Sequence, residues 1–321
     1  MGATGAIPVV LFCQGSEIMS KEQTIKRRNW NQIGPYLLVA PALIYYVLFW
    51  IRPVIKAFMV SITDASGQIS LDNFRLVLQD ATFVPAAQNT AIIVIFSVTL
   101  EFVAAMALAL LINRKFKGSS ILLFIAMIPM ALSPVVLGAM WKTGFTTHGW
   151  VNSFLTYTGF LEAGEKIIFL SGENHLKNLI LIILIDAWQV IPSMMIILLA
   201  GLQGLPKEMM EASYVFGADR WTTLRKITMP MLRPTIQTAV ILRLISALQI
   251  WLTIVMLFGF SRVPVLLERV IYYTEEVPNL PDSFRMASTY SVVIAIIITV
   301  VALLYLRVSG AFARKDGGAK A

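Results

Sequence analysis

Apolar side chains gather into six long runs, at residues 35–50, 86–112, 121–141, 178–201, 234–259 and 287–306, with charged, amide and turn residues returning between them. Roughly 20 apolar residues wound as a helix at ~1.5 Å per residue cover the ~30 Å of a bilayer's hydrocarbon, so each run predicts a membrane span. The first run is short; Pro41 and Pro53 blur its limits, and continuation to Met59 gives it full length. The pattern predicts an all-α, polytopic membrane protein of about six transmembrane helices.

One polar stretch, 202–233, has its own internal order. Pro206 suits the first turn of a helix, and Lys207 to Phe216 is rich in helix formers. Gly217 follows where a left-handed C-terminal cap belongs, and Asp219 is placed to cap a second helix reaching about Thr228, before Pro230 and Pro234. On the first helix Met209, Ala212, Ser213 and Phe216 share a face, a small and soft stripe suited to a groove on a partner.

Composition agrees with the pattern: 57% of residues are hydrophobic and 14% charged, where soluble domains carry about 25% charge. The net charge of +8 is a matter of topology. Lys and Arg number 4, 3, 5 and 4 in 19–34, 113–120, 202–233 and 307–321, but only 3 each in 51–85, 142–177 and 260–286, which also hold ten acids. Because basic residues near span ends stay on the cytoplasmic side, both termini are expected in the cytoplasm, and no nucleic-acid partner is needed. The expected organisation is a cytoplasmic segment 1–34, a transmembrane domain 35–306 containing the cytoplasmic loop 202–233, and a cytoplasmic tail 307–321. Within the first segment, Met19-Ser-Lys-Glu reads as a natural start, with 1–18 upstream of it.

Ionisable groups inside a span cost ~2.5–3.5 kcal/mol and need a reason. Three occur: Glu101, Asp186 and Arg243. Counted at ~1.5 Å per residue from the cytoplasmic ends of their runs, Glu101 and Arg243 lie at similar depth, which predicts an intramembrane ion pair. Asp186 sits nearer the outside and matches Arg243 less well. The pair reads either as interhelical glue or as a cargo contact. Polar residues at helical spacing are stronger cargo candidates: Asp186, Gln189 and Ser193 beside Trp188, and Ser246, Gln249 and Thr253 beside Trp251. Amides and carboxylates suit sugar hydroxyls and indoles suit apolar ring faces, although interhelical bonding explains the same residues singly.

The wording of the polar loop resembles the coupling, or "EAA", loop of permease subunits of ATP-binding-cassette (ABC) importers. The matching positions are Glu211, Ala212, Ser213, Gly217, Ile227 and Pro230, with Ser213 replacing the third small residue. Further resemblance follows in order through 34–42, Arg52-Pro53, Ser61 to Asp64, Asn89-Thr90, 107–118, Pro129, Trp141 and Gly149 to Asn152, and is strongest to the maltose-type first permease subunit. The Gly-Gly-Pro of that family gives way here to Gly259-Phe-Ser-Arg-Val-Pro264 and a longer 268–282 segment. The resemblance implies a type I importer permease in the inner membrane. Its partners would be a cytoplasmic ABC ATPase dimer docking on the coupling loop with Asp219, a second homologous permease, an extracytoplasmic solute-binding protein and a sugar or polyol cargo.

Chemistry of other kinds is missing. No phosphate-binding P-loop motif occurs, so ATP hydrolysis is expected on another chain, and Leu170-Ser171-Gly172-Glu173 lies in an outside loop and is assigned to chance. A single Cys and two His, 27 positions apart, make no metal set, and no cofactor is expected. The competing class is an autonomous ion-coupled secondary transporter, for which internal repeats, broken helices and midplane carboxylates are the marks.

Overall fold

Hydrocarbon offers backbone amides no water, so a spanning chain satisfies them within helices. Helices make up the regular structure of the computed structural model, which describes residues 34–64, 66–162, 164–170 and 174–311. A single isolated bridge joins Thr63 and Ile69. The start-site reading at Met19, the 171–173 string and the tail beyond 311 lie outside the described residues.

The chain divides at Met59 into two units. The first is carried, up to Met59, by α1, Gly34–Ser61, an apolar helix with a wide π turn at Val47–Ile51, whose last residues, Val60 and Ser61, open the second unit. Pro53 has no N–H to give to the preceding turn, and the wider turn accommodates that loss.

The second unit continues with a short loop and α2, Asp72–Gln79, whose Asn73 side-chain amide reaches the carbonyls of Val60, Ser61 and Thr63 at 2.8–3.2 Å. Its centre is α3, Phe83–Asn113, laid along α7, His175–Gln203. Ala105, Met106, Ala109 and Ile112 of α3 are buried against Met194, Met195, Leu198 and Leu202 of α7, and Leu232 and Ala239 of α9 complete that core. Between α3 and α7 come α4, Ser119–Ala131, α5, Pro134–Gly144, and α6, Trp150–Tyr157. After α7 the chain forms α8, Lys207–Val215, α9, Arg220–Ala247, α10, Leu252–Phe258, α11, Leu266–Ile271, and α12, Ser283–Val308.

Four of the six expected spans are continuous helices; two are not. The third is broken between α4 and α5 with a bend of 94°, and the fifth between α9 and α10 with a bend of 46°. In the first break Pro129 sits in a 3-10 turn and Ser133, extended before Pro134, accepts the Val136 N–H to start a new helix. The orphaned Leu132 carbonyl accepts a 2.8 Å hydrogen bond from the Gln189 side-chain amide on α7. The two half-helices α5 and α10 then pack closely, since Gly138 has no side chain: a Cβ there would lie 2.4 Å from Met256 Cβ.

Pro230 and Pro234 do not interrupt the fifth span. A π turn at Leu224–Thr228 absorbs the missing proline N–H, and the helix runs on through both residues.

Candidate functional site

The three ionisable span residues come together. Arg243 of α9 donates from Nε to Glu101 Oε2 at 2.5 Å and from Nη2 to Glu101 Oε1 at 2.8 Å, and Nη2 also binds Asp186 Oδ2 of α7. All three side chains are buried. The axial count sets Asp186 apart, but an extended arginine reaches about one helical turn, ~5.4 Å, and bridges that offset. The cluster is therefore a triad joining α3, α7 and α9, with Ser246 Oγ accepting from Nη1 at 3.3 Å.

Asp186 and Arg243 also face a cavity of about 430 Å³. Its walls include Gln189 and Ser193 from α7, Ser246 from α9, and the consecutive residues Gln249, Ile250, Trp251, Leu252 and Thr253. Five successive residues of an intact helix point in different directions around its axis; they line one cavity here because the helix breaks among them. Pro134 and Met130 close the wall from the other broken span. A second, smaller cavity of about 190 Å³ shares Val190, Ser193, Arg243 and Ser246, and continues along apolar Met194, Ile197 and Leu242.

Trp188 stands away from this wall. It sits nearly 200° round the helix from Asp186 and packs edge-on against Trp141 at 5.6 Å, within a cluster that includes Phe145 and Trp150. Gln189 lines the cavity while its amide nitrogen holds the Leu132 carbonyl, so it braces the broken span.

At the polar loop, α8 ends in a paired cap: the Gly217 N–H bonds the Tyr214 carbonyl and the Ala218 N–H the Ser213 carbonyl, with Gly217 at φ +80°. Asp219 then accepts from the Thr222 N–H at 3.1 Å, and hydrogen bonds from Thr222 hold its carboxyl below the usual range. Ser213 is buried, not part of the exposed stripe, and its hydroxyl meets the Thr223 hydroxyl at 2.9 Å. A small hydroxyl residue at this position lets the two helices close on each other. Glu211 and Ala212 stay exposed, as do Met209, Tyr214, Val215, Phe216 and Trp221; Phe216 is 89% exposed. Ile227 is half-buried and Pro230 exposed on the helical path into α9. Behind this hinge a cavity of about 440 Å³ runs between the ends of α3 and α7, bordered by Asn113, Leu205, Tyr214 and Arg220.

A second polar network, which span counting does not reveal, ties down the 260–286 loop. Asp80 Oδ2 accepts from Tyr290 Oη at 2.6 Å and Tyr273 Oη at 2.9 Å, with Arg269 Nη2 at 3.7 Å. Asn89 donates to the Pro264 carbonyl, and the Thr90 hydroxyl accepts the Leu266 N–H. Burial pushes the Asp80 carboxyl up, but the hydrogen bonds from Thr82, Tyr290 and Tyr273 outweigh it and hold the group below its ordinary 3.8. Glu268 goes the other way, since its burial outweighs the Ser261 N–H and Arg269. A depressed carboxyl stabilises the fold above its unfolded pKa and loses that contribution as pH falls through the folded value. Asp80→Asn is therefore expected to lower thermal stability at neutral pH and to flatten the acid limb below 3.8; an unchanged acid limb in a melting series would show that Asp80 is not the group responsible.

Fold and site together define a membrane-embedded permease: spanning helices around a polar cavity, with a capped helix pair presented on a loop between spans. The chain belongs to the family of binding-protein-dependent transport system inner membrane components, which matches residues 101–315. It is similar to the trehalose/maltose transport system permease protein MalF of Thermococcus litoralis, at 28% identity over 87% of this chain and 94% of that protein. The lactose transport system permease protein LacF of Rhizobium radiobacter is 26% identical over 86% of this chain and 94% of its own. The fold is shared with a chain of a bacterial alginate ABC transporter solved with an alginate pentasaccharide-bound periplasmic protein, with a TM-score of 0.76 and 22% identity over 89% of this chain and 99% of that one. The protein is thus the non-catalytic, multi-pass translocation subunit of an ABC importer in the cytoplasmic membrane, working with an ATPase, a permease partner and a solute-binding protein. Broken spans and intramembrane carboxylates, also marks of an ion-coupled carrier, belong here to an importer permease.

Proposed function

We propose that the cavity beside Asp186 and Arg243 is this subunit's share of the path for a sugar, oligosaccharide or polyol handed over by the binding protein. Its wall supports the reading: amides and hydroxyls of Gln189, Ser193, Ser246, Gln249 and Thr253 alternate with the indole of Trp251, a mixture suited to hydroxyl edges and apolar ring faces. Relatives named for trehalose, maltose and lactose transport favour the same class. The loop 202–233 faces the cytoplasm with both termini, and Glu211, Ala212, Gly217, Asp219, Ile227 and Pro230 shape the part gripped by the ATPase dimer. The second permease is a homologue that completes the path, with 1–34 and 307–321 flanking the transmembrane domain 35–306 on the cytoplasmic side.

The two glutamines separate cargo contact from scaffolding. Gln249→Ala is expected to lower uptake about tenfold with the assembled complex at normal abundance, as loss of one or two hydrogen bonds at ~0.5–1.5 kcal/mol each allows. Gln189→Ala frees the Leu132 carbonyl and is expected to lower abundance as well. Normal uptake by Gln249→Ala at normal abundance would remove the cavity from the path.

A further inference from the structure

We infer that Asp186, with Glu101 behind it, makes this cavity a charge filter that admits neutral and basic solutes and turns back acidic ones such as uronic acid saccharides. The inference rests on the cavity being the cargo path. Its starting point is that, among the described residues, Asp186 and Arg243 are the two ionisable groups lining the cavity. A lone arginine there would attract carboxylates. Arg243 is not alone.

A guanidinium carries five N–H groups in a fixed fork, and bidentate capture of a carboxylate takes two of them side by side. In this protein Nε and Nη2 grip the two Glu101 oxygens, Nη2 also holds Asp186, and Nη1 reaches Ser246. What remains is part of one nitrogen. An incoming carboxylate gains a paired contact only by displacing Asp186, which would leave that carboxylate without its counter-charge where burial makes it costly.

Charge gives the same answer as geometry. Two carboxylates around one guanidinium sum to −1 and repel an anion; with one proton bound the triad is neutral and offers an anion no attraction. Asp186 and Arg243 line the cavity, while Glu101 is wholly enclosed. The remaining polar wall is uncharged and imposes no sign of its own. In the unprotonated state one unit charge about 6 Å away across the water of the cavity shifts partition about threefold in either direction, so a cation and an anion differ by about tenfold.

Charged thiol reagents test the filter without knowledge of the natural cargo. In the assembled transporter, with the single native cysteine removed by Cys13→Ser, Gln249→Cys places one thiol on the cavity wall. Its labelling rates with a cationic and an anionic methanethiosulfonate of equal size are read by mass on this subunit and normalised to a free thiol. The expected result is a preference for the cationic reagent of about tenfold, collapsing towards unity when Asp186→Asn is added. If Asp186→Asn fails to accumulate, Glu101→Gln removes the same charge from behind the wall and carries the same expectation. Equal rates for both signs, or preference for the anion, would overturn the filter while leaving a wet, open cavity and the cargo path intact. Labelling by neither reagent would mean that water does not reach the cavity, and both readings would fall.

Discussion

Arg243→Met is expected to remove most of the assembled transporter from the membrane. The substitution leaves two buried carboxylates, Glu101 and Asp186, facing each other without a counter-charge, at the point where α3, α7 and α9 meet. Breaking a buried ion pair from one side costs about 3–5 kcal/mol, a large share of any membrane protein's margin. The cost comes from the stranded charges and not from the lost arginine itself. Adding Glu101→Gln and Asp186→Asn should therefore restore abundance, measured by fluorescence-detected gel filtration of the complex. A simple exchange of charge between positions 101 and 243 is expected to rescue poorly, because the acid moved to 243 would lie beside Asp186. Wild-type abundance of Arg243→Met alone would show that the triad is not what holds these three helices.

Gly217→Val is expected to uncouple ATP hydrolysis from transport. At φ +80° a β-branched residue clashes with its own backbone, so the cap formed by Gly217 and Ala218 opens, at ~1–2 kcal/mol for the left-handed conformation alone. The Ser213–Thr223 contact that closes α8 onto α9 depends on that corner. Uptake should fall tenfold or more, with ATPase co-purification reduced and the permease itself abundant. Retention of the ATPase together with normal uptake would show that the corner's shape does not matter. Gly217→Ala has the smaller side chain and should lie between the two, since nothing stands within 4 Å of a Cβ at this position.

The shape of the polar loop 202–233 is legible in the sequence because its signals are local. A proline at the start, a glycine at the end and an aspartate two residues later each act within one turn of backbone, and the structure shows the helix, left-handed corner and cap in those places. Helical spacing places Ser213 on the exposed stripe, yet it faces Thr223, because whether a helix residue faces a partner or its own chain depends on the helix packed opposite. Trp188 and Gln189 are adjacent in the chain, and α7 turns the two apart.

The broken spans show a different limit. Pro129, Ser133 and Pro134 are visible breakers, yet apolarity alone is satisfied by a straight helix through them. At Leu248 to Trp251 neither proline nor glycine occurs, and the bend there exists in the packed bundle. The Asp80–Tyr273–Tyr290 network joins residues 193 and 210 positions apart, beyond any periodicity.

The sequence alone determined that this is a helical membrane protein of about six apolar runs, that its polar loop carries a capped corner, and that three charges within the spans require partners. Those properties follow from the cost of placing backbone and charge in hydrocarbon and from torsions of single residues, all of which act wherever the chain lies. Only the tertiary structure decided that two runs bend, that Arg243 binds both carboxylates, and that five successive residues face one cavity. Each of these depends on a contact between distant segments: an amide of α7 on an orphaned carbonyl, an arginine shared by two helices, and half-helices brought together where Gly138 leaves room.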